Sequence, residues 1–541
     1  MQIRKWKIAD YHGISNLNLT LPVSENGDAV ILLGENGSGK SSTLEALFRF
    51  FAAFDSPTLA SELKSDCEIS YRIGSRDITI QQRNLVWIVS HSEIGEDAVV
   101  EDFRGSFDAL YKWHKKGRPQ LFPQRIVTFY SGYADNLAPI YKKVNSRYER
   151  DCRAVLRGYL GLVRSNKPEE IKLPQFPHKK YIYCDNSLTA LYLAAIFAEK
   201  ASYEKQKIQE LCAIDGLIAI DVLLKPKASK NLLYEFFSSN DEDHGIEKNF
   251  WRVIEFIDSD MSTLMRAAQQ SFREDSALFM IADVQKIPCN RIQVFNFFEK
   301  LVTLFDAHIS VRFAGKYGEK NVDMLSEGQR QLVKIIGMLG ATKEADCFVM
   351  MDEPDSHMNP RWKYEIKEII DNVLRDATNT QAMIATHDPL VVNGVEKEYV
   401  RLFVLNPDLK ENPEESSVKV LIPTESTEGM GIDGILQSEY YGLNSTLDAE
   451  TKSKLDEKRD LLVKRQEGTI SSEEQKKLQL LTEEIENLTF SRNIPTDDLY
   501  DEFVVAMHKL QQENPISELS PEQIRERNRK AHEIIKGLMG K

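Results

Sequence analysis

"AVILLGENGSGKSS", residues 29–42, passes from an unbroken apolar run into glycines and then into a lysine and two serines. Ala29–Leu33 has the length and composition of a short buried strand, Gly34–Gly39 reads as a loop, and Ser41–Phe51 as a helix. The spacing Gly34-x-x-x-x-Gly39-Lys40-Ser41 fits the phosphate-binding P-loop, in its strand–loop–helix setting as well as in residue type. Glycines let successive backbone N–H groups turn toward phosphate oxygens, and the helix N-terminus adds the positive end of its dipole. In that frame Asn36, Gly37, Ser38, Gly39, Lys40, Ser41 and Ser42 form a cradle for a nucleoside triphosphate. Lys40 would reach the β- and γ-phosphates, and the Ser41 hydroxyl would ligate Mg²⁺.

The chain around this stretch has 541 residues, the length of two or three domains rather than of one small core. Its 42% hydrophobic and 28% charged content is ordinary for a globular protein. No run approaches the ~20 apolar residues of a membrane span, and the opening "MQIRKWKIADYHG" lacks a signal peptide's apolar stretch. A cytoplasmic protein with no membrane partner is therefore expected. The six cysteines are scattered without a CxxC pair, against both a disulfide framework and a zinc ribbon. A net charge of -14 disfavours a protein coated in nucleic acid but leaves room for one basic face. The basic clusters at 111–120 and 179–183 could touch phosphate backbones, although solvated loop charge explains them more simply.

A second group of signals begins near residue 322. "VDMLSEGQRQLVKIIGML" places Ser326, Glu327, Gly328 and Gln329 ahead of an amphipathic helix with Leu332, Ile335, Ile336 and Leu339 on one stripe. "CFVMMDEPDSHMNP" follows, an apolar strand Cys347–Met351 ending in two adjacent carboxylates. That position suits Asp352 as an Mg²⁺ ligand and Glu353 as the base that activates a water. "TQAMIATHDPLVV" then gives another buried strand, Ala382–Thr386, followed by His387.

These four motifs, in this order, resemble those of the ABC-type ATPases that include the structural-maintenance-of-chromosomes proteins, RecF, RecN and the OLD family. Leu325–Gln329 is similar to their LSGGQ signature, Asp352 and Glu353 to their Walker B pair, and His387 to their switch histidine. The opening "IRKWKIADYHGISNLNLTL" also looks like this group's first strands, with His12 where a basic residue is common. The resemblance implies an α/β fold: a P-loop ABC-type head with an antiparallel β lobe, a helical insertion and a helical C-terminal appendage. It further implies that Ser326, Glu327, Gly328 and Gln329 close over the nucleotide of a second copy, so that two heads sandwich two ATP molecules. Asn359 stands where ABC transporters usually carry the D-loop aspartate. Gln124 and the turn at 129–136 are the candidates for a Q-loop.

Expected boundaries are 1–138 for the first half of the head and 139–305 for a compact helical lid. Residues 306–422 make the second half of the head, and 423–541 an appendage for docking a partner. "CEISYRI", "DITIQQRNLVWIVS" and "RIVTFYSGY" read as antiparallel strands of the first lobe. In the tail, Ser471/Glu474 and Ser520/Gln523 are spaced as capping boxes. Leu478, Leu481, Ile485 and Leu488 form an apolar stripe after the first of them.

Neither a paired-carboxylate nuclease site nor clustered histidines follow His387, so no nuclease activity is expected of this chain. Its organisation most resembles the stand-alone ATPases of bacterial antiphage operons, of the Septu and retron-associated PtuA type. That likeness implies an ATP-hydrolysing, nucleotide-dimerised head that governs an HNH-type nuclease partner. A retron reverse transcriptase with its RNA/DNA, or DNA itself, are further candidate partners. Two alternatives stay open: a RecF-like repair or recombination ATPase acting directly on DNA, and a nucleotide-sensing scaffold with little hydrolysis.

Overall fold

The computed structural model describes residues 1–24, 27–60, 65–94, 99–115, 121–131, 137–164, 175–224, 246–273, 276–282, 290–316, 318–342, 346–377, 380–406, 416–486, 503, 506–508 and 520–539. The described chain forms two compact units. One comprises Met1–Val392 with Glu398–Ile422, the other Asn393–Lys397 with Pro423–Lys541.

The first unit opens with a hairpin of β1 (Gln2–Tyr11) and β2 (Ile14–Thr20), then β3 (Asp28–Gly34). β4 (Cys67–Ile73), β5 (Arg76–Arg83), β6 (Val86–Glu93) and β7 (Val100–Gly105) extend the hairpin into an antiparallel sheet ordered β2-β1-β4-β5-β6-β7. β4 shows why: Cys67, Ile69, Tyr71 and Ile73 alternate inward, the period of a sheet with one covered face.

β3 behaves differently, with Ala29–Leu33 fully buried on both faces, as expected of a central parallel strand. Its sheet also contains β8 (Arg125–Tyr130), β9 (Tyr181–Tyr183), β15 (Cys347–Asp352), β16 (Gln381–Thr386), β17 (Val400–Leu405) and β18 (Val418–Leu421). The order is β18-β17-β3-β16-β15-β8-β9, parallel throughout except for β18. One strand, β16, therefore separates the P-loop strand from the carboxylate strand. Register pairs Thr386 with Leu33, and Asp352 with both Ala385 and Tyr130, so the functional ends share one edge.

The helix Lys40–Ala53 fills the space between the two sheets. Phe48, Phe50, Phe51 and Phe54 are fully buried, with Phe50 edge-on to Trp6 of β1 and Phe51 facing Phe348 of β15. Burying four phenylalanines favours this sandwich by about 6–12 kcal/mol before chain entropy is counted.

Two expectations need correction. "RIVTFY" belongs to the parallel sheet as β8, because Ile126, Val127 and Phe129 are all buried, a run that suits a strand covered on both faces. Residues 139–305 are not simply a helical lid. They hold β9, β10 (Ile214–Leu224), β11 (Gln269–Arg273) and β12 (Ser276–Ile281). β10 pairs with β13 (His308–Gly315), which with β14 (Gly318–Asn321) completes a sheet ordered β11-β12-β10-β13-β14. A cut at 305/306 would part hydrogen-bonded neighbours such as Val222 and Ile309. The run "IDGLIAIDVLL" carries the apolar, β-branched composition that such a strand needs. Thr189–Ala198 and Tyr203–Cys212 pack on this sheet, and Arg291–Phe305 and the helix Glu327–Thr342, whose stripe Leu332, Ile335, Ile336 and Leu339 is fully buried, pack in turn on Thr189–Ala198.

The second unit is helical, with Gly431–Gln437, Ala449–Gln466, Ser472–Glu486 and Pro521–Met539. Both capping boxes form: Ser471 Oγ accepts from Glu474 N while Glu474 accepts from Ser471 N, and Ser520 and Gln523 repeat the exchange. Leu478 and Leu481 close a small core with Leu461 and Leu462. Leu488 lies outside the described residues.

Candidate functional site

The P-loop turns out of β3 and runs into the helix Lys40–Ala53 through Gly39, whose φ of 90° is open to glycine at little cost. A Cβ there would also stand 3.0 Å from Ile14, so the β1–β2 turn lies directly against the loop. Lys40 Nζ donates to the carbonyls of Gly34 (2.6 Å) and Glu35 (2.8 Å) and to Ser38 Oγ (3.4 Å). The ammonium is thus held across the mouth of its own loop. Burial lowers the Lys40 pKa, while the charges of Asp352 and Glu353 oppose that shift.

Asn36, Gly37, Ser38, Gly39, Lys40, Ser41 and Ser42 all line one cleft of about 240 Å³. Glu353 closes one side, and the other wall is His12, Gly13, Ile14, Leu405, Ser417 and Val418. That wall was not visible in the sequence. It arises because Ser417 Oγ donates to Gly13 O (3.2 Å) and accepts from Ser15 N (2.7 Å), stitching β18 to the first hairpin across 402 positions or more. His12, at a φ of 44°, stacks flat on Tyr11, and the Tyr11 hydroxyl donates to Glu45 on the P-loop helix.

At the sheet edge Ser41 Oγ donates to Asp352 Oδ1 at 3.0 Å. Burial raises the Asp352 pKa to about 6, against the opposing effects of Ser41 and Lys40. A hydroxyl and a carboxylate meeting beside a phosphate cradle are the hard oxygen donors that suit Mg²⁺, which keeps its remaining positions for phosphate and water. Next to it Glu353 has a φ of 48°, the left-handed region, with its N–H donating to Ala385 O at 2.8 Å. This conformation turns its carboxylate to His387, whose Nδ1 lies 2.9 Å from Oε1.

The turn after Glu353 is heavily braced. Asp355 is buried and accepts from Thr386 Oγ1 at 3.0 Å, and Ser131 Oγ donates to Ser356 Oγ at 3.1 Å. Asn359 caps the helix Pro360–Leu374 by accepting from Trp362 N, which accounts for an amide at this position.

None of the signature residues is among the described residues lining the cleft. Ser326 and Gln329 form a capping box at the start of the helix Glu327–Thr342, with Gln329 Nε2 also donating to Cys212 O. Gly328 packs so closely on the turn after Glu353 that a Cβ would stand 2.9 Å from His357 O and 3.1 Å from the Trp362 ring.

Of the two Q-loop candidates, Gln124 lies at the N-terminal end of β8, the wrong edge of the sheet. The turn from residue 129 is at the right edge, where Ser131 N donates to Asp352 O, although 132–136 lie outside the described residues. Of the basic clusters, Lys179 pairs with Glu299 and Lys180 with Asp55, so both lysines serve internal ion pairs. Residues 116–120 lie outside the described residues.

Strand order, P-loop, the helix after Ser326, the carboxylate strand and the histidine that follows its neighbour together give an α/β P-loop fold similar to the ABC-type head that the sequence resemblance implies. Comparison with known proteins agrees. Residues 166–393 match the family described as "AAA domain, putative AbiEii toxin, Type IV TA system". The chain is similar to "Retron Vc95 probable ATPase" of Vibrio cholerae serotype O1 biovar El Tor, 23% identical over 502 residues, covering 88% of this chain and 86% of that protein. It is also similar to "Septu protein PtuA" of Bacillus mycoides (strain KBAB4), 27% identical over 142 residues, 25% of this chain and 18% of that one.

Among solved structures, an SMC head bound to the C-winged helix domain of ScpA aligns over 78% of this chain and 98% of its own, with 13% identity and a TM-score of 0.30. The SMC head domain from Thermotoga maritima aligns over 78% and 99%, with 10% identity and a TM-score of 0.30. By sequence the chain is thus similar to a retron protein over most of its length and to a Septu protein over a quarter of it. No described helix is long and apolar enough to cross a membrane.

Proposed function

We propose that this chain binds ATP with Mg²⁺, hydrolyses it, and uses the cycle to assemble and release copies of itself that govern a partner nuclease in antiphage defence. The observation that carries the ATPase reading is the convergence of Ser41, Asp352, Glu353 and His387 at the mouth of the P-loop. The defence setting is supported by similarity along most of the chain to a retron ATPase.

In this reading Asn36–Ser42 cradle the triphosphate, with Lys40 transferring its donors from loop carbonyls to phosphate oxygens. Ser41 and Asp352 would hold Mg²⁺, whose charge would offset that of the phosphates. Glu353 accepts a proton from the attacking water, and His387 fixes the carboxylate that does so. Ser326, Glu327, Gly328 and Gln329, none of which lines its own cleft, close over the nucleotide of a second copy, making ATP the bond between heads. The 423–541 unit then docks an HNH-type nuclease, with a reverse transcriptase and its RNA/DNA as further assembly members.

The test is to co-purify the chain with the products of its neighbouring genes, with and without ATP, beside a Ser326→Arg variant. ATP-dependent enlargement that Ser326→Arg abolishes, with ATP affinity kept, is the expected result. Dimers of Ser326→Arg formed on ATP addition would overturn the trans arrangement. Tight binding of the isolated chain to DNA, without any co-purifying protein, would favour direct action on DNA instead.

A further inference from the structure

The helix Glu327–Thr342 does more than carry the signature at its tip. Gln331, about a turn and a half in from Ser326, is only 2% exposed, and its Nε2 donates to Pro354 O at 2.7 Å. Pro354 directly follows Glu353. A residue preceding proline disfavours helical backbone and a non-glycine residue disfavours positive φ, so Glu353 keeps its φ of 48° only where its surroundings enforce it. Two hydrogen bonds flank it: Ala385 O accepts from Glu353 N, and Gln331 Nε2 donates to the carbonyl of Pro354, the next residue. Three residues earlier on the same helix, Gly328 is in close contact with His357 and Trp362 at the far end of that turn. The first turn and a half of the signature helix therefore grips the base-bearing turn at both ends.

We infer that Gln331 is a positioning residue which ties the signature tip to the placement of Glu353 in the same chain. The inference rests on the reading of Glu353 as the base. Its consequence is that whatever seats Ser326 on a second copy also sets the carboxylate beside the first copy's own cleft. The two sites of a pair are then coupled through one buried amide in each chain. Polar burial supports this, since an interior amide aimed at a single carbonyl imposes a geometry that an apolar side chain would not.

The test uses the full chain with ATP and Mg²⁺. Gln331→Met keeps volume but removes the donor, and turnover should fall about tenfold or more, with ATP affinity and Tm close to those of the parent. Gln331→Glu gives a second readout. Its ionised carboxylate repels Pro354 O, whereas its protonated form restores a donor, so its turnover relative to the parent should recover as pH falls. Unchanged turnover in Gln331→Met would overturn the inference. So would equal losses of turnover, affinity and Tm together with a Gln331→Glu deficit that ignores pH. Absence of turnover in the unsubstituted chain would overturn the reading of Glu353 itself, and this inference with it.

Discussion

Glu353 and His387 meet through a 2.9 Å hydrogen bond, carboxylate Oε1 to ring Nδ1, although 34 positions separate them in the chain. The pairing exists because β15 and β16 are parallel neighbours whose C-terminal ends fall in register, Asp352 beside Ala385. In the proposed mechanism, where Glu353 acts as the base, this contact with the ring orients the carboxylate. Replacing Glu353 by Gln should lower ATP turnover by about 10²–10⁴-fold while ATP still binds. Single-turnover hydrolysis and nucleotide titration check the two halves separately, and parent-like turnover would remove Glu353 from the mechanism.

Lys40→Ala removes an ammonium with three oxygen partners at the loop mouth. Charge-assisted bonds contribute about 1.5–3 kcal/mol each, so losing even one to phosphate weakens ATP binding by roughly ten- to a hundredfold. Titration with labelled ATP measures this directly. Because the helix around Lys40 is anchored by its phenylalanines, the variant should keep a Tm near that of the parent.

Asp352 links pH to both stability and function. Its pKa is raised from 3.8 to about 6 by burial, so the folded protein holds this proton more tightly than the unfolded chain does. The sign follows: no penalty applies below 3.8, the penalty grows between the two values, and it is complete above about 6. Asp352→Asn should therefore raise Tm at pH 8, and the gain should shrink toward pH 4. The same substitution should abolish Mg²⁺-dependent turnover. Melting curves across that range check the first statement, and a gain independent of pH would contradict it.

Gly328→Ala places a methyl group 2.9 Å from His357 O and 3.1 Å from the Trp362 ring. The carbonyl belongs to a braced turn and has little room to retreat. The expected cost is about 1–3 kcal/mol of overpacking, visible as a lower Tm. Loss of ATP-dependent assembly should accompany it, measured by light scattering. A variant with parent-like Tm and assembly would show that the turn yields.

Much of the head was legible in the residues. The strand–loop–helix around Lys40, the buried strands before Asp352 and His387, and the capped helix after Ser326 are local patterns. Periodicity, glycine placement and capping chemistry act within a few residues of themselves, which is why 29–42 could be read unaided. The same reasoning misassigned "RIVTFY" and the 139–305 segment. A short apolar run does not say which sheet will take it, and β10 finds its partner β13 more than 80 positions away.

Tertiary structure alone decided the rest. Folding brought Ser41 to Asp352 across 311 positions, Ser15 to Ser417 across 402, and Gln331 to Pro354 from one element to another. No sequence spacing encodes such contacts, because each depends on strand order and register and not on neighbours along the chain. The residue types suggested a triphosphate cradle and a base. The order of β3, β16 and β15 is what set them on a common edge, since parallel strands in register must end together.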